Sequence, residues 1–262
     1  MTMRATSETP ARERDWDLEK DEARQIQKSL LPESDLRGEG FEVSCRFSPY
    51  AEVTGDFADF FQLPNGIVGL YVGDVVGKGL PAAMYAALVM GMLRGVNKTG
   101  EKSSAVLELL NERMMVRPIR GRYASTLYAT FDPETRVLQF SNAGLPYPLH
   151  ASASSCTALG EGGLPSGLFP GTTYQNYSMK LEPGDAVLFA TDGLHETRDR
   201  HGSDFSWKRL GEIWQDCAAF VAREALEKIF GEMKDFSSGG SVHDDVTVVV
   251  LKVPSLGGTR EG

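Results

Sequence analysis

Apolar residues recur along this chain with two periods, and the places where the period switches divide it into elements. From Trp16 to Leu31 the segment "WDLEKDEARQIQKSLL" is rich in helix formers. Ala23, Ile26 and Leu30 stand at helical spacing, which predicts a helix ending before Pro32, whose thin apolar stripe suits equally a helix lying on the domain surface or one used for dimerisation or signal transmission. The period then drops to two in "FEVSCRF", where Phe41, Val43, Cys45 and Phe47 share one strand face. Further strands are expected at Val53 to Leu63, Gly66 to Val72, Tyr123 to Phe131, Val137 to Asn142, Asp185 to Ala190 and Val246 to Val253. Helical spacing returns from Pro81 to Val96, with a proline in the first turn, and from Ser103 to Met115. It returns again at Trp207, Leu210, Trp214 and Cys217, and at Ala222, Leu226, Ile229 and Met233. Strand groups separated by helix pairs are not alternating βαβ units; they predict an α+β fold of antiparallel sheets covered by helices. Residues 1–15 read as an irregular lead-in. The Ser, Gly, Pro and Thr-rich segment 151–175 reads as a surface flap.

Composition narrows the partners. The chain has 262 residues, 27 Lys plus Arg against 36 Asp plus Glu, and a formal charge of -9. That field repels nucleic acid and anionic lipid alike. Cys45, Cys156 and Cys217 are far apart, with no CxxC spacing, so neither a disulfide framework nor a thiolate zinc site is expected. The apolar stretch from Leu80 to Leu93 falls short of the ~20 residues a membrane span needs. The reading is a soluble, cytoplasmic protein with one main domain.

The chemistry lies in acids at strand ends. "GLYVGDVVGKGLPAAM" fails as a Walker loop, because three residues rather than four separate Gly73 from Gly77 and Gly79 follows the lysine where Ser or Thr is required. It fails as a dinucleotide loop because Pro81 interrupts the pattern and no strand-end acid follows at the right distance. Its other feature recurs: "VTGDFADFF" delivers Asp56, "GLYVGDVVG" Asp74, "VLFATDGLHE" Asp192, and "SVHDDVTVVV" Asp244 and Asp245. Each alone is an ordinary turn residue. Together, on one sheet edge, they would repel one another unless cations neutralised them. Oxygen ligands without paired His or Cys select hard ions, Mg²⁺ or Mn²⁺. Two such ions suit phosphoester hydrolysis.

"TGDFADFF", "GDVVGKGLPAAM", "FSNAGLPYPL", "FATDGLHETRD" and "HDDVTVVVLKV", in this order, resemble the motifs of SpoIIE-type phosphatases, a bacterial branch of the metal-dependent PPM Ser/Thr protein phosphatases. The resemblance runs from about residue 22 to 253. It implies a four-layer α-β-β-α sandwich, two antiparallel sheets flanked by helix pairs, at 33–254. Before it stand the lead-in at 1–15 and a linker or dimerisation helix at 16–32; a flexible tail follows at 255–262. It places two Mn²⁺ or Mg²⁺ ions on Asp56, Asp74, Asp192, Asp244 and the Val75 carbonyl, with Asp245, Gly55, Gly193 and Asp59 supporting these ligands. The implied activity is phosphoserine or phosphothreonine hydrolysis on a STAS-domain anti-sigma-factor antagonist in a partner-switching pathway, with homodimerisation through the N-terminal helix.

The pattern is departed from in four places. Thr54 stands where a second glycine is usual, Lys78 and Leu145 replace histidines, and Val76 occupies a position where some relatives carry a His. A catalytically weak or inactive binding module of the same fold is the competing reading. His195 and His243 are read as loop histidines, Lys78 as a solvated turn lysine or a point charge for phosphate, Arg94, Arg113 and Arg117 as surface pairs, and Trp207 and Trp214 as core.

Overall fold

The computed structural model describes residues 9–32, 35–63, 65–96, 102–237 and 244–255. His243 and most of the 255–262 tail lie outside them. Two helices form the first outer layer, α2 (Gly79–Val96) and α3 (Ser103–Val116), and two the last, α4 (Trp207–Asp216) and α5 (Ala222–Phe236). Between them lie two sheets. One contains β3 (Asp56–Gln62), β4 (Val68–Val75), β5 (Ala124–Asp132), β6 (Val137–Ala143) and β9 (Tyr177–Lys180), in the spatial order β3-β4-β5-β6-β9. The other contains β1 (Leu36–Gly38), β2 (Phe41–Ser48), β7 (Leu149–Ala151), β8 (Cys156–Ala158), β10 (Ala186–Ala190) and β11 (Val246–Lys252), in the order β1-β2-β11-β10-β7-β8. The pairings within both sheets are antiparallel. The expected α-β-β-α sandwich is the architecture that forms.

Three apolar clusters cement the four layers. The facing sheets bury Val43, Leu70, Val72, Leu127, Phe131, Phe189 and Val249 between them. The α2–α3 layer packs Val89, Leu93, Leu107 and Leu110 over Phe57, Tyr71 and Tyr128. The α4–α5 layer packs Leu210, Trp214, Leu226 and Ile229 over Leu188, Val248 and Val250. β11 is buried at every position because each of its faces meets a cluster, so its sequence, VTVVVLK, runs apolar from Val248 to Leu251 rather than alternating. α2 is long and apolar enough by length and composition to cross a membrane. Its Ala86, Val89, Met90 and Leu93 pack into the α2–α3 cluster.

The expected elements shift in several places. α1 (Thr9–Leu30) starts at Thr9, not Trp16, and so takes in residues expected to be irregular; Pro10 fits a first helical turn. Its inward stripe also differs. Ile26 is 58% exposed, while Ala23, Gln27 and Leu30 are half-buried, as is Lys20 one turn earlier. Residues 151–175 are not a free flap. Ser166 pairs with Ala124 through two backbone bonds of 2.9 Å. The buried Asn111 side chain on α3 accepts from Gly167 N–H and donates to the Phe169 carbonyl, and Tyr174 is buried beside Ser166.

Candidate active site

The site assembles from antiparallel register. β3 and β4 set Asp56 directly opposite Asp74. Their face is that of Ala58, Leu70 and Val72, which looks into the space between the sheets. From the opposite sheet, β10 ends at Ala190 just before Asp192, and β11 starts at Val246 just after Asp244 and Asp245. Antiparallel pairing of β10 with β11 brings both of these ends to the same edge. The four strand-end acids thus meet where the two sheets open.

Hydrogen bonds join the halves there. The buried Thr191 hydroxyl donates to Asp56 Oδ2 at 2.8 Å and accepts from Thr247 N–H at 3.0 Å. Asp245 accepts from Tyr50 N–H at 2.7 Å and from Gly55 N–H at 3.0 Å, which fixes the loop leading into β3. It therefore supports Asp56 from the side. Gly193 has no room for a side chain, since a Cβ there would come within 2.0 Å of the Asp245 carbonyl oxygen. Val75 donates its N–H to Gly55 O at 3.3 Å, and its carbonyl lies 3.0 Å from where a Cβ on Gly55 would sit.

Electrostatics sets this cluster apart. Burial first, then the charge of Asp74, raises the Asp56 carboxyl well above its ordinary range. Asp74 is pushed up to about 7 by burial and by the charges of Asp192 and Asp244, with a side-chain hydrogen bond to Asp56 opposing the rise. Asp192 is raised by burial and by Asp244, with His195 opposing. None of the ion pairs among the described residues includes Asp56, Asp74 or Asp192. Carboxylates gathered without a counter-charge hold protons or bind cations. Their oxygen-only donor set fits Mg²⁺ or Mn²⁺. As placed, no three acidic, His or Cys side chains among the described residues enclose an ion.

Asp59 does not join this cluster. An offset of three residues puts it on the opposite face of β3 from Asp56. There it accepts from Arg94 Nε at 2.9 Å, Arg94 Nη2 at 2.7 Å and the Tyr71 hydroxyl at 3.2 Å. Arg94 also donates to the Leu30 carbonyl. Arg94 is therefore a strut between α1, α2 and β3 rather than a surface pair.

Lys78 pairs with Asp244 at 2.9 Å and lies over the Tyr50 ring. Leu145, in place of a histidine, is a core residue, and the Asn142 amide closes on its N–H and carbonyl at 2.9 Å each. His195 packs edge-on against half-buried Trp207, whereas Trp214 is fully buried. Two contributors escaped the sequence reading. Thr191 was hidden as an ordinary strand-end residue. Gln27 occupies the inward stripe of α1 and makes a two-point bond to the Thr54 backbone, at 2.7 and 2.9 Å. Thr54 Oγ1 in turn accepts from Asp56 N–H at 2.9 Å.

The family described as Stage II sporulation protein E matches residues 64–254. The chain belongs to the SpoIIE family. Among curated relatives, IcfG of Synechocystis is 26% identical over 89% of this chain and 41% of its own length. The phosphoserine phosphatase RsbU of Bacillus subtilis is 24% identical over 88% of this chain and 68% of its own. The chain thus spans less than half of the first of these and about two thirds of the second. The solved SiaA-PP2C domain of Pseudomonas aeruginosa superposes with a TM-score of 0.82 at 20% identity, covering 94% of this chain and 99% of that one. That likeness shows the PP2C fold.

Proposed function

We propose that this chain is a phosphoserine or phosphothreonine protein phosphatase that works with two Mn²⁺ or Mg²⁺ ions. Asp56, Asp74, Asp192, Asp244 and the Val75 carbonyl hold the ions in this reading, with Asp245, Gly55 and Gly193 shaping the backbone around them. The observation that carries it is the set of strand-end carboxylates, drawn from both sheets, three of which have no ion-pair partner among the described residues. When bound, such ions supply a water activated at neutral pH and an electrophilic clamp on phosphoryl oxygens. The chain's own part is to aim the ligands. Thr191 orients Asp56, Asp245 fixes the loop before it, and the facing sheets exclude water from behind the cluster. Val76 offers no proton to the leaving group.

In line with the resemblance to SpoIIE-type phosphatases, the substrate in this reading is a phosphorylated STAS-domain anti-sigma-factor antagonist, and α1 is the element through which two copies pair. The second reading, an inactive binding module, draws on the Lys78–Asp244 pair, which sets a built-in cation beside one ligand. Phosphate release from a phosphoserine peptide, with and without millimolar Mn²⁺, separates the two. The phosphatase reading expects Mn²⁺-dependent turnover that is lost in Asp192→Ala. Absence of turnover together with no Mn²⁺ uptake by calorimetry would favour the module.

A further inference from the structure

We infer that residues 116–120, at the start of the loop from α3 to β5, form a docking surface for an acidic segment of the phosphoprotein. The inference rests on the phosphatase reading and extends it to how the substrate is chosen. The sequence from Arg113 to Tyr123, "RMMVRPIRGRY", holds four arginines and no acid in a chain of net charge -9. The arginines divide into two kinds. Arg113 donates to the Met92 carbonyl and Arg122 to the Val76 carbonyl, so both are committed to the fold. Arg117 and Arg120 are exposed, and neither takes part in a salt bridge with a described residue. Beside them Val116 is 77% and Ile119 53% exposed. A fixed positive and apolar surface of this kind complements an acidic segment that carries an apolar residue.

The loop is rigid and close to the site. Arg122 N–H closes a turn on the Ile119 carbonyl, and Val76 N–H donates to the Tyr123 carbonyl. Ser125, two residues beyond Tyr123, stands directly opposite Asp74. At ~3.3–3.6 Å per extended residue, the five steps from Arg120 to Ser125 span at most ~18 Å. A segment whose acids lie about four or five residues from its phosphoserine would reach both the loop and the strand-end acids.

The test uses the full chain with Mn²⁺ and three probes: a phosphoserine peptide carrying four Asp/Glu three to six residues from the phosphoserine, the same peptide with Asn/Gln there, and p-nitrophenyl phosphate. The wild type should prefer the acidic peptide by roughly tenfold in kcat/KM, through KM, with the preference shrinking as salt is raised. Arg117→Glu with Arg120→Glu should abolish the preference and leave p-nitrophenyl phosphate turnover and the melting temperature unchanged. Fluorescence anisotropy of the labelled acidic peptide reads docking without turnover, so an inactive protein that still binds it in an Arg117- and Arg120-dependent way would sink the phosphatase reading and keep the surface. Equal kcat/KM and equal binding for the two peptides in the wild type would overturn the proposal. So would an equal loss on all three probes in the double variant, or binding to phosphatidylserine vesicles that the variant loses while peptide preference persists.

Discussion

Asp56 and Asp59 sit three residues apart on one strand, and their surroundings are opposites. Asp59 has its own counter-charge, a two-point contact with Arg94 and a tyrosine hydroxyl. Asp56 faces another carboxylate and two threonine-anchored backbones, with no salt bridge to a described residue. A carboxylate that serves architecture is neutralised from within the chain. Asp56, Asp74 and Asp192, in the proposed site, have no ion-pair partner among the described residues and are left for something outside the chain to neutralise, whereas Asp244 has Lys78 beside it.

The largest effect should come from removing a carboxylate on the Asp56 side. Asp74→Asn is expected to lower Mn²⁺-dependent phosphate release by about 10³-fold, while the metal-free protein melts no lower than wild type, because a repelling charge has gone. A melting temperature that fell with the rate would place Asp74 with Asp59 as architecture. Asp59→Ala is expected to do the reverse. It strands Arg94 and should destabilise by about 2–3 kcal/mol, given the partial exposure of the pair. Turnover per folded molecule should stay within about threefold, as judged by urea titration alongside the assay.

pH sharpens the same contrast. The folded-state value of Asp74, about 7 against an ordinary 3.8, means the folded protein holds this proton more tightly than the unfolded chain. Its contribution to stability is complete below about pH 3.8 and is lost as pH rises through 7. The loss is on the order of 4 kcal/mol. Metal-free wild type should therefore lose stability between pH 4 and 7.5 relative to Asp74→Asn, and saturating Mn²⁺ should erase the difference. A parallel pair of stability curves would count against it. Gln27→Ala should destabilise by about 1–2 kcal/mol and weaken Mn²⁺ binding a few-fold in calorimetry, through the Thr54 backbone. Lys78→Gln, the smallest change, should tighten Mn²⁺ binding by about two- to fivefold, since one competing cation is removed.

The Asp56–Asp74 meeting was legible because an Asp beside a Gly at a strand end is visible in a single stretch, and four such stretches imply a common edge. Asp59 was placed with them by motif, although the two-residue period of a strand already put it on the other face. Arg94 looked like a surface residue because no local pattern reveals a partner 35 residues away. The strands β1, β7, β8 and β9 have only three or four residues each, too few for an alternation to stand out. In α1 the polar Gln27 lies between Ala23 and Leu30 on the inward stripe. Counting apolar residues alone chose Ile26 instead, which the structure turns outward. Segment 151–175 looked loose because its order comes from α3 and β5, distant in sequence.

Under the proposed function, the pairing of Lys78 with Asp244 would make the site an ion exchanger. The ammonium is tethered at the entrance to α2, so its local concentration is set by the length of its own side chain and not by the buffer. Asp244, one of the residues that would hold a divalent ion, already has the Lys78 ammonium beside it, so Lys78 would have to give way for the ion to bind. The displaced ammonium cannot diffuse away. Held over the Tyr50 ring, it would remain as a positive charge at the rim of the site, available to a phosphoryl group.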